Sequence, residues 1–370
     1  MDLPLGLGHY KPPNRRANTD AGAEGCLGKT GVDCPVACPE LGVAFWLPKQ
    51  TENGAPTSRL FLRDMMISRW VVHGILLGMN IDECRRFYSD EIRFAANINS
   101  PALIEAFARV PRERFLGPGP WEIGSPDVRA MSSMGLGKMS YTCVEDPRHV
   151  YHNVVIALDK ENDINNGQPS ALASWINALD IKPGAFIYHL GCGVGYYTAI
   201  IAETVGAQGR VVASEVNLQL ATRAKDNLSG YPNVTVHAGD GAEFDPGVCD
   251  GILVNAGVTH PLPMWLDRLR EGGRLVLPLT MALSPGRPVG AGVMIKIIRE
   301  GQLLSAQIVT SVAIYSCTSA RDPQREPLLK TAMTTGALLQ MKSFRRDQHE
   351  QSDTCLVHGP DVCLSKAEIS

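Results

Sequence analysis

From Pro169 onward the chain alternates short apolar runs with stretches of helical period. A helix is expected over 169–180, with Leu172, Trp175, Ile176 and Leu179 on one face, then a turn at Lys182-Pro183-Gly184 and a buried strand over 186–190. The same reading gives a helix over 196–205, a strand over 210–216, a helix over 218–228 and strands over 234–239 and 251–256. A helix over 263–270 and a strand over 274–279 complete the series. Strands alternating with helices imply an α/β fold, a doubly wound, mostly parallel sheet covered on both faces. Two β-rich segments, 291–299 and 303–316, flank Glu300-Gly301 and predict an antiparallel hairpin at the sheet edge. Residues 325–341 read as helical, and 342–365 as one further strand pair.

Upstream the pattern is looser. A polar–apolar alternation opens near Met79 and predicts a helix with Cys84, Phe87, Ile92 and Phe94 among its apolar positions. Ser100-Pro101 has the chemistry of an N-cap followed by a first helical residue. Leu103, Ile104, Phe107, Ala108 and Val110 form that helix's stripe, and Pro111 ends it. The stretch 115–165 is rich in Gly, Pro and Ser, without a clean period, and too long for an idle loop; it is expected to wrap or cover a site. Residues 1–60 are rich in Gly, Pro, Asn and Thr and are expected to be loose. Met79 is an alternative start of translation, which would make 1–78 a dispensable extension. The expected divisions are then 1–78, 79–165 as a covering region, 166–320 as the main domain and 321–370 as a C-terminal helix and tail.

Composition narrows the partners. A net charge of −3 gives no basic field, which argues against nucleic acid and against an anionic membrane surface. The most apolar stretch, Met65–Met79, is short and interrupted by Arg69 and His73. The first residues lack the order of a secretory signal, so a cytoplasmic location is expected. Ten cysteines in 370 residues do not make a disulfide scaffold. Cys192, Cys249 and Cys317 lie in apolar patterns and read as reduced, buried thiols. Cys26, Cys34 and Cys38 cluster without a CxxC pair or a close His, which favours plain thiols over zinc.

The chemistry concentrates in Leu190-Gly191-Cys192-Gly193-Val194-Gly195-Tyr196, between a strand and a helix. Glycines there let the backbone turn tightly and approach a ligand that faces the helix N-terminal amides. The spacing is GxGxG; a dinucleotide fingerprint would need its third glycine where Tyr196 stands, which disfavours a nicotinamide oxidoreductase. Glu215 ends the second strand, followed by Val216, at the position from which an acidic side chain reaches the ribose hydroxyls of an adenosine ligand. Asp240, between Gly239 and Gly241, ends the third and can accept from an adenine amino group. The next strand ends at Asn255-Ala256 and leads into the loop Gly257–Pro261, expected to face the reacting centre. Glu271-Gly272-Gly273 turns the chain into a further buried strand.

These features resemble class I methyltransferases, and most closely the protein-L-isoaspartate O-methyltransferase family. The resemblance rests on DIKPGAFIYHLGCGVGYYTA, GRVVASEV, AGDG, CDGILVNAGVTHPLP and GGRLVLP, and on the earlier ALIEAFARVPRERFLGP with its VPRExF turn. It covers roughly 100–316. It implies a Rossmann-like, seven-stranded sheet with S-adenosyl-L-methionine across the strand tips. Gly191, Gly193 and Gly195 would pass close to its methionine part, Glu215 would hold the ribose and Asp240 the adenine. Cys192, Tyr196, Val216, Gly241 and Asn255 complete the candidate cofactor set. The acceptor side departs from the family: where the repair enzymes carry Ser-Ala-Pro-His, this chain reads Gly167-Gln168-Pro169-Ser170.

Segment 163–170, DINNGQPS, therefore reads as a rebuilt substrate-facing loop. Gln168, Ser170, Asn255, Thr259 and His260 are the candidate polar groups near the reacting centre, with His260 a candidate base. Gln168 and Ser170 serve equally well as helix-start residues, and His260 as a plain loop histidine. No nucleophilic triad stands out, and metal-ligand spacing is absent from the core, so no metal is expected. The leading reading is methyl transfer to a protein or small-molecule acceptor. The alternatives are isoaspartyl repair itself and a noncatalytic module that only binds the cofactor.

Overall fold

The computed structural model describes residues 79–125, 140–162, 164–283 and 288–368, together with the backbone of two short strands, β1 (Val36–Cys38) and β2 (Val43–Phe45). These two pair antiparallel within a unit spanning 1–74; residues 75–370 form a second compact unit. The rest of the looseness expected over 1–60, the side chains of Cys26, Cys34 and Cys38, and Asp163 of the acceptor segment lie outside the described residues.

Helix α1 (Ile81–Ala95) starts on a capping box: the Asn80 side chain accepts the Glu83 N–H while Glu83 accepts the Asn80 N–H. It buries Tyr88, Ser89 and Ile92. Phe87 and Phe94, expected on the apolar face, are 66% and 76% exposed. The buried line runs Tyr88 to Ile92 at i, i+4, and at about 100° per residue Phe94 falls on the far side from Ile92. Ser100 caps α2 (Pro101–Arg109) by accepting the Leu103 N–H, and α3 (Arg112–Leu116) follows Pro111. The stretch expected to wrap irregularly folds in its described parts as a small antiparallel sheet. It is built from β3 (Trp121–Gly124), β4 (Tyr141–Val144), β5 (Val155–Asp159) and β6 (Ile164–Asn165), in the order β4-β3-β5-β6.

The main sheet follows from α4 (Pro169–Ala178), β7 (Phe186–Leu190), α5 (Tyr196–Val205), β8 (Arg210–Glu215), α6 (Leu218–Asn227), β9 (Val234–Ala238) and β10 (Cys249–Val254). It continues through α7 (Pro263–Asp267), β11 (Leu269–Ala282), β12 (Val289–Glu300), β13 (Leu303–Tyr315) and α8 (Arg325–Thr334). The tail adds three short strands rather than one pair: β14 (Ser343–Arg345), β15 (Cys355–Val357) and β16 (Cys363–Ser365). The order is β9-β8-β7-β10-β11-β12-β13-β14-β16-β15. The first five strands are parallel, and the pairings from β12 on are antiparallel. The order therefore reverses between β7 and β10, and in such sheets ligands lie across the strand tips at that point.

Period-two alternation divides the core. Ile187, Val211, Leu253 and Val276 join Tyr88, Phe107, Trp175 and Ile200 on one face. Their neighbours Tyr188, Val212, Ile252, Val254 and Leu275 join Trp265, Leu329 and Phe344 on the other. None of the described helices is long and apolar enough to cross a membrane.

His189 of β7 is fully buried, its Nδ1 2.9 Å from Thr198 Oγ1, and burial pushes its pKa from 6.5 down to about 4. The unfolded chain therefore binds a proton that the fold excludes between those values. Stability contributed by this group is present above about pH 6.5 and is lost as the pH falls towards about 4. Melting temperature is expected to fall over that window, with a shallower slope in His189→Gln. Parallel slopes in thermal melts of the two proteins would show that His189 does not drive it.

Candidate functional site: a glycine loop at the strand tips

The three loop glycines are each needed for a different reason. All have positive φ, +77°, +57° and +90° at Gly191, Gly193 and Gly195. A Cβ on Gly191 would lie 3.0 Å from the Asn255 carbonyl oxygen, so this glycine lets β7 and β10 close up. A Cβ on Gly195 would lie 2.7 Å from Leu228 Cδ1 and 3.6 Å from Ala224 Cα, so this one seats α5 on α6. A Cβ on Gly193 would meet nothing within 4 Å. Only the middle glycine faces open space.

Glu215, 8% exposed, pins that glycine: its carboxylate accepts the Gly193 N–H at 2.8 Å and the Asn217 N–H at 3.0 Å. Beside it Val216 is exposed, an apolar side chain at the rim. Asn255 holds the loop from the other strand, donating its N–H to Leu190 O at 2.8 Å and its Nδ2 to Gly191 O at 3.1 Å. Asp240 accepts the Ala242 N–H at 2.9 Å and the Thr318 hydroxyl at 2.7 Å, and it also accepts the Ser319 hydroxyl. Burial would raise the Asp240 carboxyl, but the bonds from Ser319, Thr318 and Ala242 hold it below its ordinary value. Gly241 packs rather than faces a ligand, since a Cβ there would lie 2.1 Å from Ser214 Oγ. Sequence reasoning missed Thr318 and Ser319; they lie 78 and 79 residues from Asp240 and carry no local motif.

Several candidates land elsewhere. The Tyr196 ring is 1% exposed, packed edge-on to Phe115 and Phe107 with the Arg112 guanidinium 5.9 Å from its centroid. Its side chain belongs to the helical layer, which leaves only backbone for the loop. The Cys192 thiol is buried, and burial raises its pKa. His260 sits with Thr259, Arg325, Phe344, Val357, Val362 and Leu364 around a small cavity under the C-terminal strands. Its Nδ1 is 2.9 Å from Thr259 Oγ1, a hydroxyl that also accepts the Asp322 N–H at 2.9 Å. Burial, aided by Arg325, pushes the His260 pKa from 6.5 down to about 4.

The described part of the segment expected to face the acceptor, 164–170, is tied down by its own amides. Asn165 Oδ1 accepts the Gly167 N–H and Asn166 Oδ1 accepts the Ile156 N–H, each at 2.9 Å, so both groups read from sequence as substrate-facing hold backbone instead. The Ser170 N–H donates to Asn153 Oδ1 at 2.9 Å, and Gln168 is the N-cap residue of α4. Gly167 has φ +78°, and a Cβ there would lie 2.8 Å from Leu172 Cδ2, so the family's serine does not fit without Leu172 moving.

Residues 128–285 match the family Protein-L-isoaspartate(D-aspartate) O-methyltransferase. A protein-L-isoaspartate O-methyltransferase 1 of Archaeoglobus fulgidus is 34% identical over 165 residues, 41% of this chain and 76% of the relative. The chain belongs to this family of S-adenosylmethionine-dependent methyltransferases. A protein-L-isoaspartate O-methyltransferase of Thermotoga maritima is 29% identical over 197 residues, which span 51% of this methyltransferase and only 54% of that relative. A solved structure of a protein-L-isoaspartate O-methyltransferase superposes with a TM-score of 0.50 at 22% identity, covering 66% of this chain and 69% of the other, a likeness of fold.

The tips suit the family's cofactor. The space at Gly193 is what a close-lying ligand would fill. Each Glu215 oxygen accepts one backbone N–H. A carboxylate has about four acceptor sites, so both oxygens can still take a ribose hydroxyl.

Proposed function

We propose that this methyltransferase esterifies a carboxylate on a protein acceptor, with isoaspartyl residues the first candidates. Bound S-adenosylmethionine supplies a methyl group on an already activated leaving group, so this chain's own residues have mainly to bind, align and exclude water. Gly193 leaves room for the cofactor, Glu215 and Asp240 orient its adenosine, and Asn255 fixes the loop against β10.

The observation that carries the carboxylate reading is the placement of His260. With its pKa pushed down to about 4 the candidate base is a weak proton acceptor, and it is bonded to Thr259 and lines the cavity beneath the C-terminal strands. Asn255, Gln168 and Ser170 are no bases at neutral pH. An amine or hydroxyl acceptor generally needs a proton removed, whereas a carboxylate is already ionised and needs no base. The relatives' names supply the isoaspartyl choice. A different carboxylate acceptor is the second reading, favoured by Leu172 filling the place of the family's serine at Gly167.

The test is methyl transfer from labelled S-adenosylmethionine to an isoaspartyl peptide and to its normal aspartyl counterpart, beside calorimetric titration with S-adenosylhomocysteine. Alkali-labile label confined to the isoaspartyl peptide is expected. Alkali-stable label would sink the carboxylate reading. Cofactor binding without label in this peptide would sink the isoaspartyl acceptor. His260→Gln should cost far less than the factor of about 100 or more that loss of a general base brings.

A further inference from the structure

The C-terminal strands hold a cluster that methyl transfer does not use. His349, Cys355, His358 and Cys363 each offer one ligand atom, and these four atoms all lie within 4.8 Å of one another. We propose that they bind a structural zinc ion that fastens the tail to the sheet.

The ligand set chooses the metal. Two thiolates and two imidazoles suit zinc, which takes such sets in tetrahedral geometry. Zinc–sulfur and zinc–nitrogen bonds of about 2.3 Å and 2.0 Å put tetrahedral ligand atoms about 3.3–3.8 Å apart. His349 Nε2 and Cys355 Sγ already stand 3.5 Å apart, so closing the set takes about an ångström elsewhere. The surroundings fit as well. His349 Nδ1 is 2.8 Å from the Asp347 carbonyl oxygen; donating its proton there leaves the Nε2 lone pair facing the sulfur. The Cys355 sulfur accepts the Ser352 N–H at 3.4 Å, a bond that favours a thiolate. His358 Nδ1 is buried with no hydrogen-bond partner, a cost that a bound metal or a relaxed ring would relieve. The two rings stand 78° apart with centroids at 5.0 Å.

The fold explains why a staple is useful. Cys355 opens β15 and Cys363 opens β16, antiparallel strands of three residues each. Strands so short make few ladder bonds, and the segment joining β14 to β15 is mostly polar and exposed. Four protein ligands leave no open position, so the ion would hold structure rather than activate water. Its loop reaches the functional half through Arg325, which pairs with Asp361 at 3.6 Å and shares the His260 cavity with Val357 and Val362.

The experiment uses the full chain, expressed in zinc-containing medium and purified under reducing conditions without a metal-affinity step. Elemental analysis is expected to give about one zinc per chain, reduced at least tenfold in Cys355→Ser/Cys363→Ser and unchanged in Cys143→Ser, whose thiol is exposed on β4. Cobalt exchanged into the wild-type chain should give the intense visible bands of a tetrahedral site with thiolate charge transfer in the near ultraviolet. That readout stands even if the double variant fails to fold. Wild-type protein that neither carries zinc nor takes up cobalt would overturn the proposal. So would zinc retained by the folded double variant, or a Cys355–Cys363 disulfide in peptides alkylated at lysis.

Discussion

Glu215→Ala is expected to weaken binding of S-adenosylhomocysteine by two orders of magnitude or more while the protein stays folded. The carboxylate makes two charge-assisted bonds, to the Gly193 and Asn217 N–H groups, and these fix the glycine loop against the tip of β8. Alanine removes that anchor and the ribose partner together. At about 1.5–3 kcal/mol per bond to a charged group, losing the ribose contacts alone accounts for about 3 kcal/mol, or a factor of about 100. Stability should change less, because Glu215 lies at a strand tip where water can satisfy the released amides. Gly193→Val should be harsher on binding: a branched residue is placed at φ +57° and its side chain enters the open space. Calorimetric titration of both variants, beside their thermal melts, decides the matter. Normal binding in both would remove the cofactor from this loop.

The local geometry of this half, a glycine loop with acidic residues at the neighbouring strand ends, could be read from the sequence because it depends on short-range chemistry. The GxGxG loop, Glu215 and Asp240 each end a strand, and a period of two followed by a turn can be read locally. What failed was long-range. Tyr196 looked like part of the loop, but Phe107, Phe115 and Arg112, some 80 residues upstream, draw its ring into the helical layer. His260 read as either a base or a plain loop histidine; its place beside β14–β16 could not be foreseen, because those strands are too short for a periodic signal. Thr318 and Ser319 bind Asp240 from the far end of the hairpin. The His349–Cys363 cluster carries no local motif: its four side chains come together only when β15 pairs with β16. Burial in α1 also went astray, since Phe87 and Phe94 are apolar by chemistry and exposed by helical phase.

The second large effect is expected at Arg112, the arginine of the VPRExF turn. Its side chain is fully buried, with Nη1 donating to Val150 O at 2.6 Å and His152 O at 3.0 Å, and Nη2 to Val154 O at 2.8 Å. The guanidinium also lies 5.6 Å from the Tyr88 ring centroid and 5.9 Å from that of Tyr196. One side chain thus joins α3, the segment leading into β5, and the first residue of α5 after the glycine loop. Arg112→Ala would take a donor from three carbonyls, of which His152 O keeps the Val154 N–H, and open a cavity beneath two aromatic rings. The expected cost is about 3–5 kcal/mol, enough to lower the melting temperature by roughly 10 °C. Arg112→Lys should recover only part of this, because an ammonium cannot reproduce the planar fork that meets three carbonyls at once. Methyl transfer should suffer beyond the stability loss. The 150–154 segment carries Asn153, which accepts the Ser170 N–H and so holds the segment proposed to face the acceptor. Measured well below the melting point, Arg112→Lys is therefore expected to raise KM for the acceptor while leaving affinity for S-adenosylhomocysteine nearly intact. Wild-type stability in Arg112→Ala would refute the clamp, and equal losses of cofactor and acceptor binding in Arg112→Lys would refute its selectivity for the acceptor side.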